Sequence, residues 1–192
     1  MSRKLVSLAI LAIALACASL LAFFPDHVRE YRLYLSETRP NLVLPYDQVS
    51  QDWSEADVLR RFPDLTFRCY DNRPGEYPGT RSCFADIQSQ NGLPAMSGSF
   101  YFDQGRLSDL AINVPWWAHR KTFARLVASN GEPTDSQWWP RNGVRLHGWK
   151  LANGSSLFYN RDQPLNPVEW SGIYWRSQRA CSKQPCWASG QQ

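Results

Sequence analysis

The stretch from Phe100 to Pro133 changes its apolar period in the middle, and that change fixes where a sheet ends and a helix begins. Leu110, Ile112 and Val114 alternate with Ala111 and Asn113 behind the turn Asp103-Gln104-Gly105-Arg106, which is the period of a hairpin. After Pro115 the apolar residues Trp117, Phe123, Leu126 and Val127 fall at helical spacings. Gly131 and Pro133 supply the stop, since glycine takes the left-handed position past the last turn and proline cannot continue the helix.

Other elements are read outward from this seam. Ser54-Glu55-Ala56-Asp57 has the form of a helix entry, Val58, Leu59 and Phe62 give that helix one apolar stripe, and Pro63 ends it. Strands are expected over 65–70, 82–88, 97–103, 107–114, 144–151, 156–159 and 170–176. Asn91-Gly92 and Asn153-Gly154 mark turns, because these residues tolerate the positive φ that tight hairpins need.

The order helix, four strands, helix, three strands reads as two copies of one unit, 52–115 and 116–176. Gln88-Ser89-Gln90-Asn91-Gly92 parallels Lys150-Leu151-Ala152-Asn153-Gly154, and Ser99-Phe100-Tyr101-Phe102 parallels Ser156-Leu157-Phe158-Tyr159. The fold class expected is α+β: antiparallel sheet with two packing helices in a tandem helix-plus-meander repeat, preceded by an N-terminal transmembrane helix. This element order over 52–176 is similar to that of the β-lactamase-inhibitor proteins and, for one unit, to the small lipoprotein of the outer-membrane barrel-assembly machinery. The resemblance is carried by element order, and no functional residue follows from it. The apparent anchor and the paired cysteines of the first unit depart from it.

Leu5 to Phe24 contains no charged residue and follows Arg3-Lys4. Twenty apolar positions at about 1.5 Å each match a hydrocarbon layer of roughly 30 Å, whereas the apolar part of a cleaved signal runs to only about 7–15 residues. Cleavage after Ala16 or Ala18 would strand Leu20, Leu21, Phe23 and Phe24 at a new terminus, so an uncleaved membrane anchor is the favoured reading of 1–24 and a cleaved signal segment the alternative. Cys17 faintly resembles a lipoprotein acylation site, but Ala14 stands where such sites carry leucine and the run stays apolar beyond the cysteine. Residues 25–51, punctuated by Pro25, Pro40 and Pro45, are read as a spacer with a short helix over 26–36, and 177–192 as a tail.

Lys and Arg on the two sides of the apolar run do not decide its orientation; the cysteines do. Beyond the run stand Cys69, Cys83, Cys181 and Cys186, an even number that fits two disulfides in an oxidising compartment and places the body outside the cytoplasm, in the periplasm if the cell is bacterial. A bond between Cys69 and Cys83, across the Pro- and Gly-rich loop 71–81, stabilises by about 3 kcal/mol on the chain-entropy model. Cys181 and Cys186 close a small loop. Without Cys-x-x-Cys spacing or a neighbouring histidine, no metal site is expected.

Chemistry-bearing motifs are scarce. Of three histidines, His119 is expected at the solvated surface of its helix and His147 on a strand, and neither they nor His27 fall in a His-Glu-x-x-His spacing. No Gly-x-Ser-x-Gly occurs. Gly143 to Gly148 has phosphate-loop glycine spacing but continues with Trp149-Lys150, and it reads as a strand edge. No catalytic residue and no cofactor is therefore assigned. Without Arg3 and Lys4 there are 19 Lys and Arg against 17 Asp and Glu, a balance that gives nucleic acid no purchase.

Tryptophan is the unusual feature, with nine in the chain. Trp116-Trp117 and Trp138-Trp139 bracket the second helix, and adjacent residues on a helix diverge by about 100°, so one member of each pair is expected at the surface. Core packing is the bland reading for all nine. The alternative is a recognition surface of Trp116, Trp117, Trp138 and Trp139 with Arg120 and Arg141, residue types enriched at binding hot spots; membrane-interface and sugar-stacking roles are further uses of the same side chains. The expectation is a membrane-anchored extracytoplasmic protein that binds a protein partner in the cell envelope, in an assembly, inhibitory or immunity-like role. Its rival is a hydrolase of envelope glycans or peptides using carboxylates with His119 or His147.

Overall fold

The computed structural model describes residues 5–8, 10–12, 15, 19, 23–136 and 144–187, and the chain divides into two compact units, Met1–Thr38 and Arg39–Gln192. In the first unit, residues 5–8, 10–12, 15, 19 and 23 of the apolar run are helical, and helix α1 covers Pro25–Ser36. Proline at its start loses nothing, because the first amides of a helix lack intrahelical partners anyway. No helix among the described residues is long and apolar enough to cross a membrane. The span expected over 5–24 falls in part on residues outside the described ones.

The second unit is α+β and is built on an antiparallel sheet. Its elements are β1 (Asn41–Leu42), α2 (Glu55–Arg61), β2 (Arg68–Asp71), β3 (Arg81–Asp86), β4 (Ser89–Gln90), β5 (Leu93–Pro94), β6 (Ser97–Asp103), β7 (Arg106–Pro115), α3 (His119–Asn130), β8 (Thr134–Asp135), β9 (Leu146–Lys150), β10 (Ser156–Asn160), β11 (Trp170–Arg176) and α4 (Gln178–Lys183), with 3-10 turns at Tyr46–Gln48 and Trp116–Ala118. Eight strands form one sheet in the order β2-β3-β6-β7-β11-β10-β9-β8. Each half is a helix followed by a four-strand meander, and the halves meet along their last strands, β7 and β11. Asn91-Gly92 and Asn153-Gly154 lie in the corresponding connection, between the second and third strand of each meander, and both glycines have positive φ.

One face of the sheet holds the main core. Cys83, Ala85, Phe100, Phe102, Leu110, Ile112, Val114, Leu157, Ile173 and Trp175 pack there with Val58 of α2 and Leu126 of α3. α2 begins as its sequence predicts: the Ser54 hydroxyl accepts from the Asp57 amide at 3.2 Å, and Asp57 accepts from the Ser54 amide at 2.9 Å.

Two expectations need correction. The segment read as a spacer over 25–51 belongs to the second unit from Arg39 onward. Leu42, Leu44, Tyr46 and Val49 are buried in the core, and β1 pairs in parallel with β4. His119 is not solvated: it is 6% exposed, because the 3-10 turn before α3 rotates the first residue of the helix toward the sheet.

Candidate functional site

Side chains alternate across a strand, so every residue between two core positions points to the opposite, outer face of the sheet. Register carries one row of these across seven strands: Arg68, Phe84, Ser99, Ala111, Tyr174, Phe158 and Gly148. The neighbouring row runs Tyr70, Ser82, Tyr101, Asp109, Arg176 and Ser156. Tyr70, Phe84 and Tyr101 thus come from three strands onto one patch. Tyr77 joins them from the loop between β2 and β3. Its ring lies 6.0 Å from Tyr101 in a stacked arrangement and 5.7 Å from Phe84, and Tyr70 lies 6.3 Å from Phe84. Tyr70 is 55% and Tyr77 42% exposed, while Tyr101 is buried beneath and burial raises the pKa of its phenol.

The loop holds Tyr77 there by its own chemistry. Cys69 and Cys83 sit directly opposite each other in the β2–β3 register and are disulfide-bonded, which closes the loop at its base. Asn72 accepts from the Ser82 hydroxyl at 2.6 Å through its side chain and donates to the Pro78 carbonyl at 3.2 Å. The Thr80 amide donates to the Phe102 carbonyl at 2.8 Å. Gly79 has φ +72, and a Cβ there would collide with the Phe102 carbonyl, so only glycine lets the loop lie this close to β6. Arg68 pairs with Asp86 at 2.9 Å at the rim of the patch.

In the second half the same face is covered. Phe158 and Leu146 pack under Trp187 and Cys186 of the C-terminal loop, which the Cys181–Cys186 disulfide closes. Gly148 makes room for the indole, since a Cβ there would strike its ring, and Trp187 Nε1 donates to the Ser156 hydroxyl at 3.1 Å. Between the halves Arg176 donates to Asp109 at 2.9 Å and also reaches the Ala180 carbonyl and the Gln184 side chain. Burial raises the pKa of Asp109 and lowers that of Arg176, each against the pull of the other's charge.

Of the residues singled out in the sequence, Trp116, Trp117 and Arg120 lie together at the start of α3. Trp117 is 49% exposed, Trp116 is half-buried and donates to the Pro164 carbonyl at 2.6 Å, and Arg120 is exposed on α3. Trp138, Trp139 and Arg141 lie outside the described residues. Trp149, Trp175 and Trp187 are buried. Both cysteine pairs are bonded as their spacing implied. The outer-face aromatics were missed because no stretch of sequence collects them. Their signal was the unbroken apolar run Phe100-Tyr101-Phe102, which a strand shows when both of its faces are covered.

Both histidines of the second half lie on the core side of the sheet. His119 Nδ1 lies 2.7 Å from Ser171 Oγ and 3.2 Å from the Tyr159 hydroxyl, which donates to the His119 carbonyl at 3.1 Å. A serine beside a histidine is the beginning of a nucleophilic pair, but Ser171 has no exposed surface and no carboxylate among the described residues hydrogen-bonds the ring. Burial lowers the pKa of His119, with Arg120 and His147 acting the same way and Asp162 opposing. His147 stacks on Phe123 with centroids 5.0 Å apart. A polar cleft of about 260 Å³ lies elsewhere, between Asp47–Asp52 and Asn153, Ser155 and Gln178, and neither histidine lines it. Glu55, Cys69 and Cys83 place metal-type ligand atoms within 4.8 Å of one another, with both sulfurs committed to the disulfide.

A scan against family models, a search of curated proteins and a search of solved structures each find no match to this chain.

Proposed function

We propose that this chain is an extracytoplasmic binding protein, held at a membrane by residues 5–24, that captures a protein partner on the patch formed by Tyr70, Tyr77, Phe84 and Tyr101. The observation that carries the reading is the patch itself: four aromatic rings clustered on the outer face of a sheet, two of them largely in water, on a disulfide-braced scaffold. Tyrosine offers a large, amphipathic contact area at little entropic expense, and the polar floor beside it, Ser97, Ser99 and Asn113, supplies adaptable hydrogen bonding. Two disulfides favour an oxidising compartment, and the uncharged run at the N-terminus favours an anchor there. The mirror order of the sheet supports reading 52–115 and 116–176 as two copies of one unit, in the manner of the inhibitor proteins whose element order it resembles. An envelope assembly, inhibitory or immunity-like role suits such a surface.

The test is cross-linking of the full chain in its native membranes, comparing the unaltered protein with Tyr70→Ala/Tyr77→Ala. Loss of the cross-linked partner with an unchanged unfolding curve is the expected result. An unchanged cross-linking pattern would remove the patch from function. A membrane-impermeant thiol reagent, applied to whole cells after reduction, tests the compartment: labelling of the four cysteines only after lysis would overturn it.

A further inference from the structure

At the end of the sheet opposite the Tyr77 loop, an apolar tip meets a basic helix. Pro115 is opposite Trp170 across β7 and β11, so Trp116-Trp117 and the loop 161–169 leave the sheet from the same end. They are joined there: Trp116 Nε1 donates to the Pro164 carbonyl at 2.6 Å, and Gln163 Nε2 donates to the Trp116 carbonyl at 3.0 Å. Pro164 and Pro167 stiffen the loop, and between them Leu165 is 100% exposed; Trp117, at the same end of the sheet, is half-exposed.

α3 starts at this tip and contains no Asp or Glu. Arg120, Lys121 and Arg125 are exposed, and none has an ion-pair partner among the described residues. Arg120 and Lys121 lie in the first turn of α3, which continues directly from the 3-10 turn Trp116–Ala118. Asp162 of the loop is held by Arg145 at 3.1 Å and Arg161 at 3.7 Å.

A projecting leucine and a half-exposed indole thus share this end of the sheet with exposed cations. They have the composition of a surface that lies on lipid, where Trp and Leu enter the headgroup boundary while Arg and Lys meet anionic headgroups. We propose that this end of the domain docks on an anionic bilayer surface, with Trp117 and Leu165 inserted at headgroup level and Arg120, Lys121 and Arg125 facing lipid phosphates. The inference rests on the reading that residues 5–24 keep the body beside a bilayer. Docking would restrict how the anchored domain presents Tyr70 and Tyr77.

The experiment uses the full chain with Cys17→Ala and Leu165→Cys, the new thiol carrying an environment-sensitive nitrobenzoxadiazole dye. The protein is reconstituted with vesicles of phosphatidylcholine, alone or mixed with phosphatidylglycerol, containing spin-labelled lipid as quencher. The emission is expected to shift to the blue and to be quenched with phosphatidylglycerol. The effect should disappear in Arg120→Glu/Lys121→Glu and at about 1 M salt, where charges are screened beyond about 3 Å. The same dye at Glu76→Cys, on the opposite end of the sheet, should not respond. Vesicle flotation separates this inference from the anchor: flotation in both lipids with an unquenched dye overturns the docking and leaves the anchor standing. Flotation only with phosphatidylglycerol, together with quenching, supports the docking and removes the anchor. Equal quenching in both lipids overturns recognition of anionic lipid. A photo-cross-linker at position 165 in native membranes should yield lipid adducts; protein adducts alone would assign the tip to a protein interface and overturn the proposal.

Discussion

Tyr101 and Phe158 occupy corresponding places in the third strand of their meanders, yet Tyr101 lies under a half-exposed tyrosine and Phe158 under a buried tryptophan. Both covering rings hang on short loops braced by a disulfide, Cys69–Cys83 for Tyr77 and Cys181–Cys186 for Trp187. In the second half the indole sits in the gap left by Gly148 and satisfies its N–H on Ser156. In the first half no further group among the described residues closes over Tyr70, Tyr77 and Phe84. The same face is therefore a core in one half and a surface in the other. On the proposed reading, what the chain completes for itself in the second half a partner completes in the first.

The comparison predicts that equivalent substitutions have unequal effects. Trp187→Ala should be the most damaging, costing about 3–5 kcal/mol, because it empties a closed site and leaves Phe158 and Leu146 facing water. Urea unfolding checks this; a loss comparable to that of a surface substitution would show that the second half is not sealed. Replacing Cys69 and Cys83 together by serine should cost about 3 kcal/mol, the chain entropy of the released loop. It should also cut partner capture, since the loop that aims Tyr77 loses the clamp at its base. Tyr77→Ala inverts the pattern of Trp187→Ala: a stability loss of about 1 kcal/mol or less, the scale of one aromatic pair, with the larger share of capture gone. If Tyr77→Ala destabilises as strongly as Trp187→Ala, the two halves do not differ as described.

Local chemistry was largely legible in the sequence and long-range placement was not. The period change at Pro115, the Asn-Gly turns and the Ser54 entry are each written within a few residues, and they placed β6, β7, α2 and α3 within a few residues of their observed ends. Cysteine spacing gave both disulfides for the same reason. Residues 39–51 escaped because Pro40 and Pro45 break any period, while Leu42, Leu44, Tyr46 and Val49 are buried one by one by elements remote in sequence. The aromatic patch escaped because it draws single residues from β2, β3, β6 and a loop, and register alone assembles them. His119 was placed on the wrong side because a 3-10 turn, rather than an α-turn, begins at Trp116 and changes the phase of the helix that follows.

The inner face separates the halves once more, and with a smaller expected effect. The first meander contains no histidine, whereas the second buries His119 between α3 and the sheet, against Ser171 and Tyr159. Burial and the nearby Arg120 lower its folded pKa below the free value of about 6.5, so in that range the unfolded chain holds the proton more readily than the folded one. The stability contributed by neutral His119 is complete above about pH 6.5 and is lost as the pH falls toward the folded pKa. The unfolding midpoint of the unaltered protein should accordingly fall from pH 7.5 to pH 5 by more than that of His119→Gln, which keeps a polar side chain but takes up no proton. Comparing the two proteins removes the contribution of Asp109, whose raised pKa acts in the opposite sense. Parallel pH profiles would mean that His119 does not charge on unfolding in this range, and that the halves differ on their outer face alone.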